Sequence, residues 1–190
     1  MKFEQLLFLL RKYDAISKDE EMNIKKYFVS QNINKKEILI NQNKPCNKLY
    51  FVNSGLLRAY YVNDKANEIT RMFAWENRFL TNISSFKNFS DNIETIECVE
   101  KAEILYISRE NFDKLMLTSR NLKSIYGDVL EEYNALHIKR FHHLNSTNIE
   151  EKIKHLKNDF PYIINKVNDS LLASFLGISR ETFVRHKKIL

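Results

Sequence analysis

Cysteine is scarce in this sequence of 190 residues, and the two that occur, Cys46 and Cys98, stand alone with no Cys-x-x-Cys pair. One chain therefore lacks the ligands for an iron–sulfur centre or a structural zinc, and both read as ordinary thiols. Long hydrophobic runs are missing as well. None approaches the roughly 20 residues of a membrane span, and Leu6 to Leu10 is broken at once by Arg11 and Lys12, too short for a secretory signal. A cytoplasmic chain is expected. Histidine is absent from the first 136 residues, since all five lie between 137 and 190. Any function placed in the first part must work without imidazole. His142 and His143 are adjacent and point apart on a helix, and His137 is five or six positions away, so no metal site is expected there.

What is present suffices for a large core: 44% of residues are hydrophobic and 28% charged. The net charge of +6 is weak evidence in bulk, because Ile, Lys and Asn make up 61 of the 190 residues, as an AT-rich genome favours. Its distribution says more. Residues 1–136 carry 20 Lys/Arg against 19 Asp/Glu, whereas residues 137–190 carry 10 against 5. This pattern suggests a neutral domain followed by a small module that meets polyanions.

Apolar residues at helical spacing predict helices over 3–12 and 18–28, with Ser17 as the cap of the second. From Glu37 short β-branched and aromatic runs predict six strands: 37–41, 48–53, 56–62, 68–74, 93–99 and 102–107. Asn53, Ser54 and Gly55 read as a hairpin turn. A helix near 119–144 follows, whose apolar positions Leu122, Tyr126, Val129, Tyr133 and Leu136 step by four and three. At 1.5 Å per residue it is about 39 Å long. The stripe suits either a long core helix or the seam of a homodimer, and the near-heptad step with flanks such as Glu131, Glu132, Lys139 and Arg140 favours the seam. Asn145, Ser146, Thr147 and Asn148 form a polar break that serves as a domain boundary.

Residues 149–158 make a short amphipathic helix that Pro161 ends, and the most informative stretch is Asp169 to Leu190. Leu171, Leu172, Phe175 and Leu176 give a helix one apolar face, Ala173 stays small where another helix approaches, and Gly177 can take the left-handed conformation that stops it. Ser179 is placed to cap a second helix, in which Phe183, His186 and Leu190 share one face. Arg180, Glu181, Val184, Arg185 and Lys188 share the other. This is a helix-turn-helix pattern, whose second helix enters the major groove of DNA. Guanidinium can donate to guanine O6 and N7, and a carboxylate can accept from cytosine N4.

The segment Gly177-Ile178-Ser179-Arg180-Glu181-Thr182, followed by Arg185, resembles the recognition helix of the Crp/Fnr superfamily of bacterial transcription regulators. The run LYFVNSGLLRAYY from Leu49 to Tyr61 resembles that family's early strands, and a long helix follows in the same order. The resemblance implies an α+β chain: a jelly-roll-like antiparallel β-roll with flanking helices over 1–118, a dimerisation helix over 119–144 and a helix-turn-helix domain over 145–190. It also implies a homodimer on palindromic double-stranded DNA, with RNA polymerase as a further partner. Arg180, Glu181 and Arg185 then read bases, Ser179, Thr182 and Lys188 lie nearer phosphates, and His186 departs from an apolar position, which loosens packing.

Cyclic-nucleotide-binding members of that family resemble one another in a Gly-Glu segment and an Arg-Ser/Thr pair. Such a pocket needs backbone donors and a cation against the ligand's anion. Residues 76–98 contain no glycine, their cations are Arg78 and Lys87, and Glu94 stands in Asn92-Ile93-Glu94-Thr95 where the positive charge is required. Cyclic nucleotide is therefore not the expected effector, and no cofactor is expected. Arg58 and Arg71 pair with acids in the roll or touch a ligand. Cys98 reads as a core residue and Cys46 as a loop thiol. A cupin-type metalloenzyme needs clustered histidines that the roll lacks, so an enzyme is not expected. The rival reading is an interaction or small-ligand sensor module whose basic tail binds an acidic partner.

Overall fold

The computed structural model describes residues 2–145 and 148–190. The chain opens with α1 (Glu4–Leu10) and α2 (Lys18–Tyr27). Ser17 starts α2 as expected: its hydroxyl accepts from the Glu20 N–H while the Glu20 carboxylate accepts from the Ser17 N–H, satisfying two backbone donors at once. Six strands follow: β1 (Val29–Ile33), β2 (Ile38–Ile40), β3 (Lys48–Val62), β4 (Glu68–Ala74), β5 (Arg78–Leu80) and β6 (Thr95–Ser108). They form one antiparallel sheet in the order β1-β6-β3-β4, with β2 also on β6 and β5 also on β3. A short helix, α3 (Ile83–Asn88), lies between β5 and β6.

The expected hairpin at Asn53, Ser54 and Gly55 does not form. The runs 48–53 and 56–62 are one long strand, as are 93–99 and 102–107, and the two long strands pair along their whole length. Register shifts at Val52/Ser54, Ser54/Leu56 and Leu56/Leu57 bend the pair instead of reversing it. Gly55 sits in this bend with φ +88°, and a Cβ there would lie 2.3 Å from the Lys101 carbonyl oxygen and 2.6 Å from the Ala102 Cα. Glycine is needed for close approach between strands, not for a turn. The short segments β1, β5 and α3 are not predicted from the sequence, since three to six residues carry too little periodicity to read.

Because successive strand residues face opposite sides, β3 feeds several cores. Leu49 and Phe51 join Leu105 and Ile107 of β6 under the helical layer, while Tyr50 and Val52 join Ile104 and Ile96 inside the roll. Beyond the bend Leu56, with Phe73 of β4, enters a third core. This explains why the strand is buried almost continuously instead of alternating.

The helices α4 (Arg109–Thr118) and α5 (Arg120–Asn145) come next, then α6 (Ile149–Asp159), α7 (Pro161–Ile164), α8 (Asp169–Leu176) and α9 (Arg180–His186), and a 3-10 turn over Lys187–Ile189. The polar break expected at 145–148 falls partly on Ser146 and Thr147, which lie outside the described residues; Asn148 caps α6. Pro161 opens α7 at its first position, where the missing N–H costs nothing.

Candidate nucleic-acid interface and ligand cavity

Asn168 caps α8 by accepting from the Leu171 N–H at 3.0 Å, and Leu172, Ala173, Phe175 and Leu176 bury its inner face. Gly177 ends the helix at φ +66°, with the Ile178 N–H donating back to the Ala173 carbonyl. A Cβ on Gly177 meets only Leu144 at 3.5 Å, so the left-handed backbone alone calls for glycine. Ser179 then caps α9, its hydroxyl accepting from the Thr182 N–H at 3.1 Å. Phe183 is fully buried against α8 and α6, which contributes about 1.5–3 kcal/mol relative to exposure.

The opposite face of α9 is open. Arg180, Glu181, Val184 and Arg185 are exposed together, with Lys188 just beyond, and no hydrogen bond or ion pair holds Arg180, Arg185 or Lys188 among the described residues. Lys187, by contrast, pairs with Asp169 at 2.8 Å. The Glu181 carboxyl is held below the usual range by its own backbone N–H, then by the Ser179 hydroxyl and the Arg180 charge. Ser179 and Thr182 are partly committed to the cap, their hydroxyls 3.0 Å apart. His186 is half-buried, with Nδ1 3.0 Å from the Thr182 carbonyl, so a local hydrogen bond replaces apolar packing.

The C-terminal helices dock on the roll. Ser174 of α8 accepts from the Thr70 N–H at 2.9 Å and donates to the Glu68 carbonyl at 2.7 Å, making it an added partner along β4. Trp75 stacks on Tyr162, and Lys166 pairs with Glu100. Arg140 of α5 is the tie: its guanidinium donates to the carbonyls of Arg71, Thr70 and Phe175, each at 2.9 Å, and lies over the Phe175 ring. Burial, then repulsion from Arg71, lowers its pKa to about 10, which leaves it charged at neutral pH. In the sequence Arg140 reads only as a charged flank. Its spacing of four from both Leu136 and Leu144 is the available signal.

Four of the five residues expected in the seam pack within the chain. Leu122, Ile125 and Val129 are buried, Tyr126 and Tyr133 pack with them on Leu6, Leu49 and Phe51, and Leu136 is half-buried. The Tyr133 hydroxyl accepts from the Phe79 N–H at 2.7 Å and donates to the Phe79 carbonyl. The cause is the outer face of the roll, which is apolar and needs a cover. What α5 leaves open is a different line, Leu130 (37% exposed), Ile138 (51%) and Phe141 (65%).

Between α5 and the roll lies a cavity of about 490 Å³, largely apolar, with Leu10, Phe79, Met116 and Leu130 among its walls. Its polar corner is built by Arg71, Thr81, Asn82, Glu94, Asn134 and His137. Glu94 is buried and accepts from Arg71 Nε and, at 2.9 Å, from the Asn82 amide, while Arg71 also donates to the Thr81 carbonyl. The one guanidinium facing this corner is thus neutralised by an acid. Burial, then Arg71 and Arg140, lower the His137 pKa. Arg58 is structural, buried between Glu68 at 2.7 Å and Glu97 at 3.0 Å. Both cysteines are buried, Cys46 included, and burial, then Glu37, raises the Cys98 thiol to about 11, away from the reactive thiolate. One cluster of metal-ligand side chains occurs among the described residues, His143 with His155 and Asp159, a set that spacing along the sequence does not bring together.

Residues 30–119 match the family model of the cyclic nucleotide-binding domain. No curated protein sequence matches the chain. Among solved structures, the c-di-GMP responsive global regulator CLP of Xanthomonas campestris superposes with a TM-score of 0.73 at 16% identity, covering 90% of each chain. FixK2 from Bradyrhizobium japonicum has a TM-score of 0.73 at 11% identity, over 85% of this chain and 83% of that one. A CRP/FNR family transcriptional regulator from Thermus thermophilus has a TM-score of 0.67 at 14% identity, over 83% of both chains. At this identity the likeness is one of fold. The chain therefore has the fold of CRP/FNR regulators: an antiparallel roll with flanking helices, a long helix and a C-terminal helical region.

Proposed function

We propose that the chain is a sequence-specific DNA-binding transcription regulator that acts as a homodimer on an inverted repeat and answers to something other than a cyclic nucleotide. The observation that carries this reading is the open face of α9, where two arginines and a lysine, unpaired among the described residues, stand beside a carboxylate and Val184. An exposed cluster of cations raises the local positive potential that draws in a polyanion, and duplex DNA supplies both phosphates and base edges. Two such helices related by a dyad would contact half-sites roughly 34 Å apart, one turn of duplex. The face of α5 proposed for the second copy is Leu130, Ile138 and Phe141, its exposed apolar positions, because Leu122, Ile125, Tyr126, Val129 and Tyr133 pack in the chain's own core. Selection of bound duplexes from a random pool tests the reading: enrichment of an inverted repeat supports it. Failure to retard any duplex at low salt leaves the basic tail to an acidic protein partner.

The cavity supports a small-molecule effector of low charge. Its volume falls in the usual range for ligand sites, and its walls are apolar apart from one corner. A cyclic phosphate entering that corner meets Glu94, whose carboxylate already holds Arg71. Calorimetry with cyclic AMP and cyclic GMP should give no saturable heat at micromolar concentration. A clear isotherm with either nucleotide overturns this part of the reading.

A further inference from the structure

We propose that His143, His155 and Asp159 form a binding site for a divalent transition metal, joining the end of α5 to α6. The three ligand atoms lie within 4.8 Å of one another. His155 and Asp159 are four residues apart, so they share one side of α6, and His143 faces them from α5. His143 Nε2 and Asp159 Oδ2 approach to 3.4 Å, an ion-pair distance; both atoms are closed off from solvent and neither has a hydrogen-bond partner. Two orphaned polar atoms side by side are unusual in a folded chain, and a cation between them satisfies both. A void of about 20 Å³ lies beside the cluster, lined by His143 and His155 but not by Asp159, so it gives the rings room to move and is not itself the ion's seat.

The surroundings fix the metal's class and strength. Two imidazole nitrogens with one carboxylate oxygen suit zinc, cobalt or nickel better than calcium or magnesium, which take oxygen ligands. Lys139 donates to the other carboxylate oxygen of Asp159 at 2.7 Å, orienting the acid as outer partners of metal ligands do. Loading requires one movement. The two imidazoles stack with centroids 3.4 Å apart at 24°, so their lone pairs run nearly parallel, and one ring must turn before both nitrogens reach the same ion. Arg140 and Lys152 also line the void, although both direct their donors at backbone carbonyls. Their charge, with that of Lys139, weakens the site relative to closed structural sites. Three protein ligands leave a further position for water.

The test uses the tag-free full chain, titrated with zinc chloride in a calorimeter and with cobalt chloride while visible absorption is recorded. One zinc per chain with micromolar affinity is expected, together with cobalt ligand-field bands. His155→Gln and Asp159→Asn should each weaken binding about tenfold or more, and His142→Gln, at the adjacent exposed ring, should change nothing. Circular dichroism checks that each variant folds. If Asp159→Asn does not fold, having also lost the Lys139 pair, His155→Gln carries the test. Absence of saturable binding, or His155→Gln binding as tightly as the parent, overturns the site and leaves an ordinary His–Asp ion pair. The outcome is independent of whether the chain binds DNA.

Discussion

Arg140 shows how much a single side chain does in this molecule. Its guanidinium reaches three carbonyls on two elements, β4 and the end of α8, and its plane covers Phe175. A fixed planar fork makes this possible, and an ammonium at the same position cannot reproduce it. Arg140→Met should therefore cost about 2–4 kcal/mol in urea unfolding, because it strands buried carbonyls, and Arg140→Lys should recover little of it. A loss under about 1 kcal/mol for Arg140→Met would show that the tie is dispensable. The spacing of Arg140 from Leu136 and Leu144 is readable in the sequence. Its partners are not, since they are backbone oxygens some 35 to 70 residues away that any residue type could supply. Glu94 is the better-signalled residue: a carboxylate in a segment without glycine already argues against an anion, and the structure adds that Arg71 is the cation it neutralises.

Among the elements, β3 and α5 carry the most meaning. The bend at Gly55 brings β3 and β6 closer than any side chain permits, and Gly55→Ala forces Lys101 and Ala102 apart in addition to its unfavourable φ. A cost of about 2–4 kcal/mol is expected, read as a lower urea midpoint, and a variant of parental stability would contradict the close approach. The strand segments are legible from alternation, but their fusion into one strand is not, because a bulge and a hairpin turn draw on the same Asn, Ser and Gly residues. The apolar period of α5 is equally legible and equally ambiguous. A stripe stepping four and three covers a β-roll as well as it meets a second helix, and only the outer face of the roll decides. The proposed dimer contact is accordingly placed on the exposed line. Ile138→Glu combined with Phe141→Glu should give a folded monomer in sedimentation at micromolar concentration. If that double variant stays dimeric, the interface lies elsewhere.

At the scale of the whole molecule, three cores meet along β3, and β4 enters two of them. The third core fills the space between the roll and the helices α6 to α9, so the C-terminal unit is held by Phe73, Trp75 and Leu56 as well as by its chain connection. Its outward face carries Arg180, Arg185 and Lys188 with no ion pair or hydrogen bond to another described residue, beside the single carboxylate of Glu181. The caps and the glycine of α8 and α9 are legible because a helix end, a left-handed turn and a capping serine each have a distinct chemistry. The most direct measurement is a salt titration of Arg180→Ala, Arg185→Ala and Lys188→Ala on the selected inverted repeat and on a scrambled duplex. Arg180→Ala and Arg185→Ala should lose about 1–3 kcal/mol on the selected site and less on the scrambled one, whereas Lys188→Ala should weaken both alike and lower the salt slope by about one per subunit. Equal losses on both duplexes for the arginine variants would contradict base reading by the exposed face of α9.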